Sequence, residues 1–318
     1  MKIFHRYSNV PDLTPIRGDF INELNILKAI KTFAQVTNNP KEKCDLYYVR
    51  HNSSLFKSLP HPKVYFASPY DQDSFNRADA IATFSSEWTR RLKEGIPYTA
   101  GCNIKINKPI ITLQQVIDDS LFMPMQGHLK TKKIRRMFGN GFIIGHFGKM
   151  RPTNFPHTFL KILPELKKKY PHINVIFSDK TGVESSLIKQ FSFSYNDMPY
   201  ALSACDLLLF PYWAAAGHYS GALRTKEALA CGVPITSPRF VAREEELGKD
   251  YELFYPIGGK NHFRKDVTKG LLDIISLMIE NDGLRKSIGQ RLYQRSKYYG
   301  IKVSGERIER DFEKVIKS

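Results

Sequence analysis

The stretch "DLLLFPYWAAAGHYSGALRTKEALACGVPITSP", residues 206–238, decides the fold. It reads as a buried strand, "DLLLFP", a loop of small residues, a helix, "GALRTKEALACG", and a second strand, "VPITSP". A strand, a helix and another strand in this order are typical of a parallel sheet. Glu227 lies about two turns into the helix, where a carboxylate needs a physical reason.

The same alternation continues on both sides of this stretch. Apolar strands are predicted at 2–7, 45–49, 63–68, 80–85 and 109–113, and again at 142–147, 173–179, 206–211 and 233–238. Helices are predicted between them, and the chain beyond residue 266 is predicted to be mostly helical. Short apolar strands that alternate with helices indicate parallel sheets covered on both faces.

Three local predictions are specific. A first helix over 18–36 should present an apolar stripe to the sheet: Phe20, Leu24, Leu27, Ile30 and Phe33 or Ala34. A second helix over 85–95 has Ser86 as its start signal and Gly95 as its stop signal. Pro164 should kink or shorten a helix over 157–170.

The alternation is interrupted at 123–141, a segment rich in Met, Gly and Lys, and we place the domain boundary there. The chain is therefore expected to have an N-terminal domain at 1–128, a C-terminal domain at 129–302, and a C-terminal helix at 303–318 that could pack back on the first domain. The predicted fold is α/β, with two doubly wound Rossmann-like domains facing across a cleft. Ligands are expected at the carboxyl ends of the strands.

The composition indicates a globular protein with a strongly cationic surface. The 318 residues carry a formal net charge of +17, which favours an anionic partner such as a nucleotide, a phospholipid surface or a nucleic acid. Cations outnumber acids most clearly between 125 and 170, where Glu165 stands against Lys130, Lys132, Lys133, Arg135, Arg136, Lys149, Arg151, Lys161, Lys167, Lys168 and Lys169. No nucleic-acid-binding motif accompanies this charge, so no nucleic-acid partner is expected.

The cysteines, histidines and apolar runs predict a cytoplasmic protein without a metal. Cys44, Cys102, Cys205 and Cys231 are scattered and the histidines are not clustered, so neither a disulfide framework nor a zinc site is expected. The start of the chain has no apolar stretch of signal-peptide length, and no window approaches the length of a membrane span.

The loop and helix start at 214–221 are suited to an anion, because small residues allow close approach and free N–H groups point outward. Glu227 lies too far into the helix to meet the phosphate, but it could accept two hydroxyl groups of a ribose. The structural alternative is that Glu227 pairs with a basic neighbour and Gly221 only makes a turn. A second segment, "GHFGKMRPTN", has Gly148 at a tight turn, and Lys149 and Arg151 could clamp a diphosphate and stabilise it as a leaving group.

These segments resemble the group 1 family of retaining glycosyltransferases with the GT-B fold. That family has a strand ending in Asp-x-x-x-x-Pro, a gap, and then Glu-Ala-x-Ala-x-Gly-x-Pro. The matching residues here are Asp206, Pro211, Glu227, Ala228, Ala230, Gly232 and Pro234. The resemblance covers roughly 78–300, is strongest at 197–238, and is supported by "FIIGHFGKMRP", "ADAIATFSSEWTRRLKEG" and "VIDDSLFMP".

The resemblance implies a donor site for a nucleotide sugar such as a UDP- or GDP-sugar. Glu227 would bind the ribose and Lys149 would replace the family's phosphate-binding arginine. The remaining donor-binding residues are Gly148, His218, Tyr219, Ser220, Gly221, Ala222, Leu223 and Arg224. Catalysis is assigned to Lys149, Arg151, Glu227 and His51, with no metal and no cofactor beyond the donor.

Three positions depart from the family's pattern. Tyr219 stands where the family often has an earlier glutamate, so His218 would help to hold the sugar. The family's second lysine is replaced near Asn154, which leaves Arg151 as the substitute. The acceptor-domain histidine is missing after the strand at 63–68, and His51 is a possible replacement. A lone histidine at a strand end is more often a structural hydrogen-bonding residue, and this alternative applies to both His51 and His146.

The predicted function is hexosyl transfer, with retention, to a glycan, lipid-linked or other hydroxyl acceptor in polysaccharide or glycoconjugate biosynthesis. A nucleotide- or glycan-binding protein without turnover is the alternative. Asp71 and Asp73 imitate the metal-binding Asp-x-Asp of GT-A enzymes, but that fold has no second doubly wound domain, so a solvated helix cap is preferred. The basic segments at 130–136 and 167–169 predict peripheral docking on the anionic inner membrane face.

Overall fold

The computed structural model describes residues 1–5, 18–50, 53–66, 72–96, 106–148, 157–178, 185–211, 223–258 and 264–318. The chain forms two compact units. The first consists mainly of Met1–Asp118 and Tyr298–Ser318, and the second of Asp119–His218 and Arg224–Lys297. These limits differ from the predicted boundaries at 128 and 302.

The segment at 119–128 belongs to the second unit because its polar groups bond there. The Met125 backbone N–H donates to Ser203 Oγ at 3.2 Å, and Gln126 Nε2 donates to the Cys231 carbonyl at 2.9 Å.

The first unit contains a parallel six-stranded sheet in the order β2-β1-β3-β4-β5-β6. Its strands are β1 (Lys2–His5), β2 (Gln35–Thr37), β3 (Leu46–Arg50), β4 (Lys63–Phe66), β5 (Ala80–Thr83) and β6 (Ile110–Thr112). The residues of β3, β4 and β5 are buried throughout, as expected for central strands covered on both faces. The strand order reverses between β1 and β3.

The helices of the first unit include the end of the chain. They are α1 (Gly18–Ile30), α2 (Ser53–Ser58), α3 (Gln72–Arg77), α4 (Ser86–Glu94) and α12 (Ile301–Lys317). Helix α12 packs against α1, and Phe312 contributes its ring to the core beside Tyr48, with ring centroids 6.0 Å apart. The unit is completed by a bridge between Ile117 and Gly300.

The second unit contains another parallel six-stranded sheet, in the order β12-β11-β10-β7-β8-β9, with three strands on each side of the point where the order reverses. Its strands are β7 (Ile143–His146), β8 (Asn174–Ser178), β9 (Lys189–Phe191), β10 (Leu207–Leu209), β11 (Ile235–Pro238) and β12 (Phe254–Tyr255). Its helices are α5 (Leu129–Phe138), α6 (His157–Lys169), α7 (Met198–Ser203), α8 (Leu223–Ala230), α9 (Val241–Leu247), α10 (Lys265–Glu280) and α11 (Asp282–Ser296). The prediction of two doubly wound parallel sheets is therefore confirmed.

Several local predictions were wrong in detail. The first helix ends at Ile30, and Gln35–Thr37 forms the edge strand β2 instead. The cap of α4 is Ser85, whose Oγ accepts from the Trp88 N–H at 3.2 Å, while Gly95 ends the helix in a left-handed conformation as expected. Helix α6 is not shortened by Pro164, which lies on the exposed face.

Within the described residues, no helix combines the length and the apolar character that a membrane crossing requires.

Gly305 allows α12 to approach α1 closely. A Cβ at this position would lie 2.8 Å from the Ala29 carbonyl oxygen and 2.2 Å from Thr32 Oγ1. We expect Gly305→Ala to lower the free energy of unfolding by about 1–2 kcal/mol, because the clash outweighs the gain in helix propensity. Thermal or urea denaturation measures this change.

Gly283→Ala in α11 is the matched control. The added methyl group would meet only Asn281 Oδ1 at 3.7 Å, so this variant should be as stable as the wild type or slightly more stable. Equal effects of the two substitutions would contradict a close approach at Gly305.

Candidate functional site

The candidate site lies where the strand order of the second sheet reverses. The chain leaves β7 toward β8 on one side and returns through β10 on the other, so the carboxyl ends of β7 and β10 border a crevice. His146 is the last residue of β7 and Leu209 is the last residue of β10. The two ends are joined by a hydrogen bond of 2.7 Å between His146 Nδ1 and the Leu209 carbonyl.

Glu227 is buried on α8, the helix that follows β10. Its side chain is 1% exposed, and its closest charged neighbour is Arg224, with Nη1 2.6 Å from Glu227 Oε2. Neither carboxylate oxygen accepts a well-aligned hydrogen bond from the described residues. Burial raises the pKa of Glu227, and the charge of Arg224 and the Tyr195 hydroxyl oppose this rise without cancelling it.

This contact agrees with the structural interpretation of Glu227, while the ribose interpretation stays a prediction. The carboxylate does pair with a basic neighbour, Arg224, one turn before it on the same helix. A buried carboxylate is stable only when several hydrogen bonds compensate for its lost hydration. One ion pair with a partly exposed arginine leaves capacity for further donors, which a ligand could supply.

A buried ionic cluster anchors α8 to the rest of the second unit. Lys226 Nζ donates to Glu246 Oε1 at 3.0 Å, and Arg243 binds the other oxygen of the same carboxylate. All three side chains are at least nine-tenths buried. This cluster holds the backbone of α8, and with it Glu227, in one position relative to α9.

Other residues of the family-like motif have structural roles. Asp206 Oδ2 accepts from the Ile143 N–H at 2.8 Å and from Arg135 Nη2 at 2.9 Å, which joins the starts of β7 and β10 to α5. Gly232 has a φ of 66°, a conformation that favours glycine after a helix. These two residues are explained by the fold alone.

Gly148 follows β7 and lies beside His146. Its N–H donates to Ser178 Oγ at 3.3 Å, and that hydroxyl donates back to its carbonyl at 3.2 Å. A Cβ at this position would meet only the His146 ring, 3.7 Å from Nε2. The backbone of Gly148 does not itself require a glycine, and the residues after it in the predicted tight turn lie outside the described part of the chain.

Most of the predicted site residues lie outside the described residues. These are Lys149, Arg151, His51, His218, Tyr219, Ser220, Gly221 and Ala222. Leu223 and Arg224 are described, and both are partly buried in the first turn of α8. Of the predicted donor-binding set, the structure therefore describes Gly148, Leu223, Arg224 and Glu227.

A polar cluster at the switch point of the first sheet was not predicted. His5 ends β1, Arg50 ends β3, and both contact Glu23 on α1: His5 Nε2 lies 3.1 Å from Oε1, and Arg50 Nη1 lies 3.3 Å from Oε2. Burial alone would raise the pKa of Glu23, but the contacts with His5 and Arg50 lower it below its usual value. The carboxylate is therefore ionised and compensated.

Aromatic rings enclose the guanidinium of this cluster. Arg50 Cζ lies 4.8 Å from the centre of the Phe66 ring and 4.9 Å from that of Phe84. The sequence carried one usable signal, since "KIFH" and "YYVR" each end in a basic residue at the carboxyl end of an apolar strand. The sequence prediction instead names the next residue, His51, as the candidate site residue.

The structure describes one of the two aspartates of the Asp-x-Asp pattern. Asp73 lies in the first turn of α3 and forms ion pairs with Lys57 at 2.8 Å and Arg77 at 3.1 Å. These contacts fit the preferred helix-cap interpretation. Asp71 lies outside the described residues.

Comparison with solved structures identifies the fold. Sucrose-phosphate synthase from Thermosynechococcus elongatus has a TM-score of 0.65 at 11% identity, over 99% of this chain and 89% of that one. Anabaena HepE in complex with UDP-glucose has a TM-score of 0.67 at 14% identity, over 98% and 99%. The pneumococcal O-GlcNAc transferase GtfA in complex with UDP and GlcNAc has a TM-score of 0.64 at 13% identity, over 94% and 60%.

These proteins are GT-B glycosyltransferases, and the chain is similar to them over almost its full length. The chain therefore has the predicted GT-B fold. No protein-family model and no curated protein matches the sequence.

The raised pKa of Glu227 predicts an effect on stability without ligand. A raised pKa means that folding favours the protonated form, so the wild type loses stability as the pH rises from about 4.3, the unfolded value, through the folded-state pKa. Glu227→Gln removes this loss. We expect the variant to melt a few degrees above the wild type at pH 7, with the difference shrinking toward pH 4, as measured by calorimetry across this range.

Glu280→Gln serves as the control, because Glu280 is exposed and its contacts with Lys169 and Tyr170 lower its pKa. That variant should not gain stability at pH 7. A Glu227→Gln protein that melts below the wild type at pH 7 would show that the Arg224 ion pair outweighs the burial of the carboxylate.

Proposed function

We propose that this GT-B chain is a glycosyltransferase that moves a hexosyl group from a nucleoside diphosphate sugar to a hydroxyl acceptor, with retention of configuration. One observation carries the proposal: a buried carboxylate, Glu227, lies at the switch-point crevice of the second sheet with too few donors around it. The GT-B fold is compatible with glycosyl transfer, and the residues of the site provide the specific argument for it.

A ribose would complete the environment of Glu227. Its two vicinal hydroxyl groups are donors from which one carboxylate can accept together, and the charge of Arg224 favours the ionised form of that carboxylate. Formation of these charge-assisted hydrogen bonds would offset the cost of burying the charge. A nucleoside therefore fits this position better than a bare phosphate, which would bring a second negative charge to it.

The diphosphate would be bound by segments adjoining the described site. Lys149 and Arg151 follow β7, and the amides of Ser220–Leu223 precede or begin α8. Cations and amides together would neutralise the leaving diphosphate, so we propose that transfer needs no divalent metal. The resemblance to the group 1 family supports front-face attack, in which the departing diphosphate helps to deprotonate the acceptor hydroxyl.

HepE and GtfA are described in complexes with UDP-glucose and with UDP, so UDP is the first nucleotide to test. For the acceptor, we propose a glycan or lipid-linked hydroxyl bound in the first unit.

A nucleotide- or glycan-binding protein without turnover is the second candidate. Tyr219 stands where the group 1 family often has a glutamate, and this departure favours loss of transfer. Release of UDP from UDP-glucose in the presence of sugar acceptors separates the two candidates, since both predict nucleotide binding.

Membrane docking is supported by one face of α5. Exposed cations there, Lys132, Lys133 and Arg136, accompany exposed apolar side chains, Leu129 and Met137. Exposed apolar side chains beside basic ones are suited to an anionic bilayer surface. We therefore propose a cytoplasmic protein that is peripheral on the inner membrane face, where a lipid-linked acceptor would be met.

The donor site is tested by calorimetric titration with UDP, GDP, ADP and dTDP, each with Mg²⁺ and with EDTA. We expect one nucleotide to bind equally in both conditions, and Glu227→Gln to weaken it by about tenfold or more, because a neutral amide accepts less strongly from the ribose hydroxyls. Glu280→Gln, an equal charge change on an exposed helix end, should bind like the wild type. Failure of all four nucleotides to bind a folded wild-type chain would overturn the proposal.

Membrane docking is tested by sedimentation with vesicles of phosphatidylcholine containing phosphatidylserine. Reversal of Lys132, Lys133 and Arg136 to Glu should reduce binding by about tenfold or more, since each basic residue near the surface contributes about 1 kcal/mol. Reversal of three exposed cations on α12, Lys302, Arg310 and Lys314, gives the same net charge and should reduce binding less. Equal losses would contradict docking through α5.

A further inference from the structure

His146 ends the central strand β7 with one ring nitrogen used and the other unused. The residue is 1% exposed, and Nδ1 lies 2.7 Å from the Leu209 carbonyl oxygen. A carbonyl can only accept, so Nδ1 carries the proton and donates. In the neutral ring, Nε2 then carries a lone pair and can only accept.

The ring remains neutral under physiological conditions. Burial lowers the pKa of His146 to about 4, and the positive charge of Arg224 acts in the same direction. The hydrogen bond to Leu209 opposes this shift without reversing it. His146 therefore presents an acceptor, and not a cation, near pH 7.

Nε2 points toward the end of β7, where Gly148 lies. A Cβ added to Gly148 would be 3.7 Å from Nε2 and 3.8 Å from Cε1, with no other heavy atom of the described residues within 4 Å. The rings of Phe177 and Phe210 meet the imidazole edge to face, with centroids 5.6 and 6.3 Å away. Among the described residues, no group donates to Nε2.

A buried acceptor without a donor is costly, and such atoms are uncommon in folded proteins. Gly148 places no side chain against Nε2, where a Cβ would lie 3.7 Å away. The bond to Leu209 holds the ring at the carboxyl ends of β7 and β10, and α8, which carries Glu227, is the next helix after β10. His146 Nε2 thus belongs to the same crevice as the Glu227 carboxylate, which has capacity for further hydrogen bonds.

We infer that His146 Nε2 accepts a hydrogen bond from a hydroxyl group of the bound nucleotide sugar. This inference rests on the proposed function and adds a specificity residue to it. A diphosphate at neutral pH has no proton to donate and would be repelled by the lone pair, whereas ribose and hexose hydroxyls are donors. His146 would therefore select a hydroxyl and exclude a phosphate oxygen at this position.

Two substitutions separate this role from a structural one. In His146→Asn the amide nitrogen lies near the position of Nδ1, so the bond to Leu209 can be kept while Nε2 is lost. In His146→Gln the amide lies near the position of Nε2, so an acceptor is kept there while the bond to Leu209 is lost. The two variants should therefore affect folding and ligand binding in opposite ways.

The measurement is the dissociation constant for UDP and UDP-glucose, or for the corresponding pair if the wild type binds another nucleotide, together with the melting temperature. We expect His146→Asn to melt near the wild type but to bind about tenfold more weakly, the effect of one lost hydrogen bond. We expect His146→Gln to melt lower but to bind within about threefold of the wild type. If His146→Asn binds both ligands more weakly, the hydroxyl group belongs to the ribose. If it binds only UDP-glucose more weakly, the hydroxyl group belongs to the hexose.

Several results would overturn the inference. His146→Asn binding as tightly as the wild type, or more tightly than His146→Gln, would assign the residue to folding alone. Equal weakening in both variants, in step with their melting temperatures, would lead to the same conclusion. A wild-type chain that binds no nucleotide overturns the proposed function itself, and is thereby distinguished from a failure of His146.

Discussion

The burial of one carboxylate, Glu227, is the constraint that the contacts around α8 have to satisfy. A charge in this position loses its hydration, and the single ion pair with Arg224 restores only part of that loss. The helix that carries it must therefore be held by other contacts. Lys226, the neighbouring residue, provides them through the buried cluster with Glu246 and Arg243, whose charges compensate one another. Lys226 thus stabilises the position of α8, while the adjacent Glu227 keeps the capacity to bind a ligand.

The side chains at the switch points of the two sheets make different contacts, although the first strand of each sheet ends in a histidine. In the first unit, His5 contacts Glu23, which also binds Arg50, so the charged groups there compensate each other. In the second unit, His146 bonds to the Leu209 carbonyl, its second nitrogen has no donor among the described residues, and the buried Glu227 carboxylate pairs with Arg224 alone among the described charged residues. Each doubly wound sheet has one point where its strand order reverses, and the side chains give the two points different chemistry. The second is suited to a ligand rich in hydroxyl donors.

The sequence predicts those parts of this structure that depend on long apolar runs. Strands such as β3, β4 and β10 are buried along their whole length, so their composition alone reveals them. The strands it misses, β2, β9 and β12, lie at sheet edges, where β2 and β9 include exposed residues and β12 has only two residues, so no long apolar run marks them. Glu227 was predictable because its motif is local. The cluster of His5, Glu23 and Arg50 was not, because its members come from three elements and α1 is buried on nearly every side.

The family-like motif of the second unit contains two kinds of residue, and only one kind argues for function. Asp206 ties β7, β10 and α5 together, and Gly232 adopts a left-handed conformation at the end of α8 while Gly289 allows its carbonyl to approach closely. A chain that kept only this fold would still need these residues. Glu227 is different, since folding raises its pKa and its charge therefore opposes folding at neutral pH. A residue that weakens the fold at the carboxyl edge of a parallel sheet is best explained by a ligand that compensates for it, and a ribose has the hydroxyl groups to do so.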